Sequence, residues 1–463
     1  MTSVPPASRL RPVAAGAPVA SVVVVDAAVV VAATVVAVAA AADLSAIEPE
    51  IEASVLANGI RLVTERMPEA RSVTVGFWVG VGGRDEPPPL SGASHFLEHL
   101  VFKGTETRSA RAIAESIDAL GGEMNAFTSR EHTAYYTRLP AAALDVGLDL
   151  LTDVLAQPAL RAHEVDAERE VILEEILLSE DTPDDKVHSL LAEALYPGHP
   201  LGREVLGDEA SVEAMTRDDI DEFRELHYRP ANIVVAAAGL LDHAAVAEGL
   251  EHYVPDLDRG VPPTREAPMA PPVPLVVGHR TSEQGHIAMG WRALDHNDPD
   301  RYALSIANQV FGGGMSSRLF QEVREERGLA YSVYSATSLY SDSGLLMVYA
   351  GTAPGRVTEV LSVIDDQVAG LVADGITDQE LTVAKGYLEG SLLLGLEDSG
   401  SRMGRLGRSE LSRGEVVPVD EHVARIRAVT CADVKRVLHR VLSGPRSLAI
   451  VGPFSEADFA SVA

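Results

Sequence analysis

Two histidines and a glutamate, His95, Glu98 and His99, stand as H-x-x-E-H inside the apolar run Ser94-His95-Phe96-Leu97-Glu98-His99-Leu100. In a helix of about 3.6 residues per turn, residues four apart share a face, so both imidazoles can aim at one point. Glu98 falls beside that point, while Phe96, Leu97 and Leu100 point elsewhere and can bury the helix. Two neutral imidazoles with a carboxylate at hand supply two ligands and a general base, as zinc-assisted hydrolysis needs. The order is that of the inverted zinc motif. So short a pattern also arises by accident on an ordinary helix surface, and a third ligand is required.

The stretch Arg161 to Glu180, RAHEVDAEREVILEEILLSE, reads as a long acidic helix. Glu168 and Glu175 are seven apart and share a face two turns along it. Val171, Ile172, Leu173 and Ile176 surround that face with apolar bulk, so at least one carboxylate is drawn inward. Carboxylates are buried mainly when paired or bound to a metal. Glu175 is the expected third ligand of one zinc ion per chain. Glu168 is the expected supporting carboxylate, orienting a histidine or tuning the bound water. His132, His163, His188, His199 and His227 lack ligand-like spacing and read as surface or packing residues.

These helices need a frame. Val55 to Met67 reads as two short strands around the Asn58-Gly59 turn. Ser72 to Val81 is a buried strand, Ala110 to Leu120 a helix, and Glu123 to Ser129 and Thr133 to Leu139 alternate as strands. Gly104 is expected to close the motif helix. Ala141 to Leu155 is an amphipathic helix. Seven prolines between Pro255 and Pro274 mark an extended linker. Beyond it the pattern recurs: His286 to Trp291 parallels the Thr74 to Trp78 strand, and Tyr302 to Phe311 takes the motif helix's place without histidines. Thr216-x-x-Asp219 and Thr430-x-x-Asp433 each open a helix before a strand ending at Gly239 or Gly452. The expected fold is α+β, two α/β sandwich-like domains of one topology with helices packed on an antiparallel or mixed sheet. Their bounds are 51–256, a linker over 257–275, and 276–463. The glycine-rich stretch Phe311 to Phe320 lacks the lysine and spacing of a phosphate loop, so nucleotide binding is discounted.

The 463 residues are too many for one core and suit two domains. The net charge of −30 argues against a nucleic-acid partner and favours basic peptides. The single Cys431 forms no intrachain disulfide, which fits a reducing, cytoplasmic setting. Residues 1–50 read as a low-complexity Ala/Val-rich extension. An export signal is the alternative, and stable membrane insertion is not expected, because Ala27 to Ala42 falls short of the roughly 20 residues a span needs.

The pairing of SHFLEHLVFKGT (94–105) with EREVILEEI (168–176) resembles the pitrilysin/insulinase family of zinc peptidases, and most of all its bacterial mitochondrial-processing-peptidase-like members. GGEMNAFTSREHTAYY (121–136), GHPLGREVLG (198–207) and RPANIVVAAAG (229–239) add to the likeness, which extends over residues 51–463. The resemblance implies a metalloendopeptidase cutting unstructured peptides, with His95, His99 and Glu175 on zinc, Glu98 as base and Glu168 in support. It implies that Asn125 and Ala126 lie on an edge strand to which the peptide adds. It also matches Arg324 and Tyr331, in REERGLAY, to a pair that holds substrate and stabilises the oxyanion. Apart from the family, these two read as a surface arginine and a core tyrosine. A homodimer, or pairing with a related subunit, is implied by a chamber built of four such domains. The alternative is a non-catalytic scaffold or partner subunit of such a complex.

Overall fold

The computed structural model describes residues 50–254 and 257–459. Apart from Glu50, the Ala/Val-rich extension expected over residues 1–50 lies outside them. No helix among the described residues is long and apolar enough to cross a membrane.

The first sheet is built from β1 (Glu50–Val55), β2 (Arg61–Arg66), β3 (Ser72–Val79), β4 (Glu123–Thr128), β5 (Thr133–Pro140) and β6 (Ile233–Gly239) in the order β1-β2-β6-β3-β5-β4. The expected hairpin is present at Asn58-Gly59. Gly59 adopts φ 105°, and Asn58 Oδ1 accepts a hydrogen bond from the Ile60 amide at 3.1 Å. Its first strand lies further upstream than the reading from Val55 placed it. EIEASV is an exposed edge with little apolar signal.

The second sheet comprises β7 (Leu275–His279), β8 (Gly285–Ala293), β9 (Ala330–Leu339), β10 (Gly344–Thr352) and β11 (Arg446–Gly452) in the order β7-β11-β8-β10-β9. The two orders match strand for strand once β1 is set aside. Each has one parallel pair, β2 with β6 and β7 with β11, and antiparallel pairs elsewhere. The duplicated topology read from the sequence is the observed one. Helices Arg217–His227 and Cys431–Leu442 both start in capping boxes, on Thr216/Asp219 and Thr430/Asp433.

Five helices bear on the site: α1 (Ala93–Val101), α2 (Ala162–Asp181), α3 (Pro183–Leu195), α4 (Arg301–Phe311) and α5 (Ser399–Arg413). Helix α1 stops at Val101, short of Gly104, which takes φ 122° and turns the chain toward Ser109 instead. Helices α3 and α5 are exchanged between the halves. From the first half, α3 lays Val187, Leu191 and Leu195 against Ala288, Ala449 and Val451 of the second sheet. From the second half, α5 lays Met403 and Leu406 against Val63, Trp78, Val234 and Ala236 of the first. With helices on both faces, β6 is buried at every position, which explains its small, apolar sequence IVVAAAG.

Over its described residues, 257–274, the proline-rich segment carries neither helix nor strand, and it is fastened to both halves. Arg84, with a side chain 2% exposed, reaches Glu131 and Asp342 at 2.6 Å each and the Glu266 carbonyl at 2.7 Å. Arg265 pairs with Asp85 at 2.8 Å and donates to the Glu131 carbonyl at 2.6 Å. First half, proline segment and second half therefore meet in one set of buried charges whose partners offset their desolvation.

The seating of α5 is tight. A Cβ added to Gly407 would lie 2.1 Å from the Trp78 indole nitrogen. Gly407→Ala is expected to destabilise the protein by about 1–3 kcal/mol, read as a lower urea midpoint. An unchanged midpoint would mean that α5 can shift freely on the sheet.

Candidate active site

Helix α1 owes its place to a buried carboxylate that the sequence reading missed. Gly92, at φ 94°, opens the helix, and a Cβ there would lie 2.6 Å from the Leu206 carbonyl oxygen. The Glu86 carboxylate accepts from the Gly92 and Ser94 amides at 2.7 Å each, satisfying donors that a helix start otherwise leaves orphaned. Burial pushes its pKa up, against those two bonds. Arg203, in the loop GHPLGREVLG, donates to the Glu86 carbonyl at 2.6 Å and braces the turn. Phe96, Leu97, Leu100 and Val101 anchor the inner side of α1 in the core.

The outer side carries His95 and His99. The His95 and His99 rings lie 4.6 Å apart. From α2, Glu175 Oε2 stands 3.6 Å from His95 Nε2 and 3.7 Å from His99 Nε2. These three residues are the one group of acidic, histidine or cysteine side chains among the described residues whose donor atoms converge closely enough to hold a metal ion. Glu175 is 39% exposed, so the cluster opens to solvent. Glu168, one of the few buried carboxylates, lies 3.2 Å from His99 Nδ1 and 2.6 Å from Lys103 Nζ. With Nδ1 held by Glu168, His99 turns its Nε2 toward the cluster. Burial, then the charge of His99, holds His95 down at about 4, so its imidazole is neutral. Among the described residues, His95 Nδ1 is buried with no hydrogen-bond partner.

Glu98 leans toward β4. Thr128, the last residue of that strand, donates a hydrogen bond to Glu98 Oε2. Burial raises the Glu98 pKa, partly countered by Thr128 and by the charge of His99. Of the apolar residues expected around the α2 face, Ile172 is fully buried, whereas Val171 is 43% exposed and contributes nothing there.

Asn125 and Ala126 lie on β4, which pairs with β5 alone and is the outer edge of its sheet. Arg324 and Tyr331 are brought together elsewhere. Arg324 sits on a π-helical turn (Phe320–Glu326) with its guanidinium 4.8 Å from the Phe320 ring and 4.9 Å from the Tyr331 ring. Tyr331 is 82% exposed, so its reading as a core tyrosine is corrected. The two line a recess of about 370 Å³ walled by residues between Gln284 and Ala353, with no member of the His95 cluster. Lys103, Thr128 and Glu86 were not legible as site residues, because each acts through a partner distant in sequence or through backbone amides.

The family model described as Insulinase (Peptidase family M16) matches residues 61–209, and the one described as Peptidase M16 inactive domain matches residues 214–388. An uncharacterized zinc protease of Mycobacterium leprae is 45% identical over 407 residues, covering 87% of this chain and 92% of that protein. One of Bacillus subtilis is 39% identical over 396 residues, covering 86% and 97%. Among solved structures, a protease from Helicobacter pylori superposes with a TM-score of 0.81 at 23% identity, covering 88% of this chain and all of that one. This last likeness bears on the fold alone.

Proposed function

The chain belongs to the M16 (insulinase) peptidase family, and from that premise we propose that it is a zinc-dependent endopeptidase acting on unstructured peptides at the His95–His99–Glu175 cluster. The observation that carries this reading is the convergence of three donor atoms beside a half-buried carboxylate, Glu98.

The donor set fits zinc. Two imidazole nitrogens and one carboxylate oxygen are a catalytic set that leaves one position open. Separations of 3.6 and 3.7 Å lie close to the roughly 3.4 Å that bonds of about 2.1 Å at tetrahedral angles require. When bound, zinc supplies Lewis-acid chemistry that lowers the pKa of a water from about 15.7 to about 7.

The chain's own residues do the rest. Glu98 takes the proton of the attacking water and delivers it to the departing amine, in the manner of a general base and then acid. Its raised pKa suits both halves of that exchange. Thr128 holds one carboxylate oxygen and so aims the other. Glu168, neutralised by Lys103, fixes the His99 ring and tautomer. The free edge of β4, at Asn125 and Ala126, pairs with the peptide backbone as an added strand and leaves side chains to pockets.

Arg324 and Tyr331 are donors suited to a substrate carbonyl and its developing charge. Their recess has no wall from the metal cluster. A homodimer, or a pair with a related subunit, brings such a recess to a neighbour's cluster, and that is the assembly proposed. Light scattering at assay concentration is expected to give the mass of a two-chain particle; an active monomer would exclude it.

The chemistry is tested by metal content and by cleavage of an unstructured fluorogenic peptide. Wild type is expected to hold about one zinc per chain and to cleave. Glu98→Gln is expected to keep the zinc and lose roughly 10²–10⁴-fold in kcat. Equal rates in both proteins would remove Glu98 from the mechanism. Zinc without cleavage in wild type would favour a scaffold subunit.

A further inference from the structure

The outer face of the first sheet carries a groove of about 690 Å³ between α5 and the β4 edge. Trp78, Phe127 and Tyr136 form its aromatic floor. The pleat of β4 relates this groove to the metal cluster. Thr128 reaches Glu98 on one face, where Met124 and Ala126 also pack, while Glu123 and Phe127 face the groove. A peptide added along β4 continues that pleat, so its side chains alternate between the cluster side and the groove side.

The groove is locally cationic on a chain of net charge −30. Its charged lining is Arg138, Arg405, Arg408 and Arg413 against Glu123 and Asp398, a balance of four minus two, or +2. Three of these arginines are engaged. Arg138 pairs with Asp398 at 2.9 Å, Arg405 pairs from behind with the buried Glu65 at 3.6 Å and donates to the Val417 carbonyl at 2.9 Å, and Arg413 donates to Ser409 Oγ at 2.7 Å. Among the described residues the Arg408 guanidinium has no hydrogen-bond or ion-pair partner.

The duplicated fold offers an internal comparison. Helix α3 sits on β11, β8 and β7 as α5 sits on β6, β3 and β2. In the second half the equivalent space is filled. His188 of α3 stacks 5.2 Å from Tyr349, and its Nε2 is 3.1 Å from the Tyr334 hydroxyl. In the first half, α5 presents Gly404 there, and a Cβ on it would meet nothing within 4 Å. A glycine inside a helix costs about 1 kcal/mol against alanine. Trp78 demands that at Gly407, but no packing demands it at Gly404. The opening is thus a property of this half and not of the topology.

We propose that this groove is a specificity subsite for the substrate side chains that point away from the metal cluster, and that it selects carboxylate side chains through Arg408. The proposal rests on the peptidase reading and on strand addition at β4. The aromatic floor takes the apolar stem of the side chain, and the free guanidinium takes its carboxylate in a charge-assisted hydrogen bond. Because the field of the whole chain repels acidic peptides, the matching substrate carries isolated acidic residues in a neutral or basic segment.

The test is a fluorogenic, unstructured peptide scanned from Ala to Glu one position at a time, with the Glu-to-Ala ratio of kcat/KM as readout. Wild type is expected to favour Glu at positions spaced two apart. Arg408→Glu is expected to lower that ratio by about tenfold and Arg408→Gln by about threefold, as for a partly exposed charged hydrogen bond. Gly404→Leu, which fills the groove, is expected to lower it as well. Melting curves matching wild type exclude misfolding as the cause. In parallel, fluorescence polarisation measures the same labelled peptides on Glu98→Gln protein. Cleavage with a flat ratio, or a ratio that Arg408→Glu leaves unchanged, overturns the subsite and spares the peptidase reading. No cleavage, with Arg408-dependent preference for Glu peptides in binding, spares the subsite and overturns the peptidase reading. No Arg408-dependent preference in either assay overturns the subsite.

Discussion

The two sheets hold each other's helices. Helix α3 leaves the first half to cover the second sheet, and α5 leaves the second half to cover the first. Neither sheet has its full apolar cover without the other half, so the cores form together. The exchange constrains side-chain size on both surfaces. Gly407 must be a glycine beneath Trp78, and Gly290 meets Leu191 and Leu195 where α3 crosses β8. The charges around Arg84 and Arg265 add direction to this packing, because each guanidinium finds its carboxylates only when the halves and the proline-rich segment are in register. Relative motion of the halves would break buried ion pairs, which is strongly unfavourable.

On that rigid frame the two halves diverge at the candidate site. Helix α1 packs beside β4 and helix Arg217–His227, and α4 packs beside β9 and helix Cys431–Leu442. They are equivalent elements, yet of the two only α1 brings histidines, which Glu168 and Glu175 of α2 meet. Glu86 and the loop around Arg203 hold the start of α1, so the positions of His95 and His99 follow from hydrogen bonds made before the helix begins. The same duplication leaves the first half an open groove on its outer face where the second half is filled by a histidine and two tyrosines.

What could be read from the sequence was local. The Asn58-Gly59 hairpin, the capping boxes at Thr216 and Thr430, and the H-x-x-E-H face declare themselves within a few residues. The match of β3 with β8 was legible because both are continuous apolar strands buried on two faces. Strand β1 was largely missed because an exposed edge with acidic residues has no apolar pattern. The exchange of α3 and α5 was hidden because a helix's apolar stripe does not say which sheet it covers. Glu86 was hidden because its partners are backbone amides, and Arg408 because an unpaired arginine is defined by what does not surround it. Tyr331 was misread because it lies on β9, an edge strand that leaves its side chain exposed, and an edge position is set by pairing distant in sequence.

The cluster of His95, His99 and Glu175 is the proposed seat of peptide hydrolysis. The most direct measurement is to strip metal from the purified protein with a chelator and titrate zinc back while following cleavage of an unstructured peptide. Activity is predicted to vanish on stripping, to rise in proportion to added zinc, and to level off at about one ion per chain. Full activity in the stripped protein, or a wild-type response in a His95→Ala, Glu175→Ala variant, would contradict it.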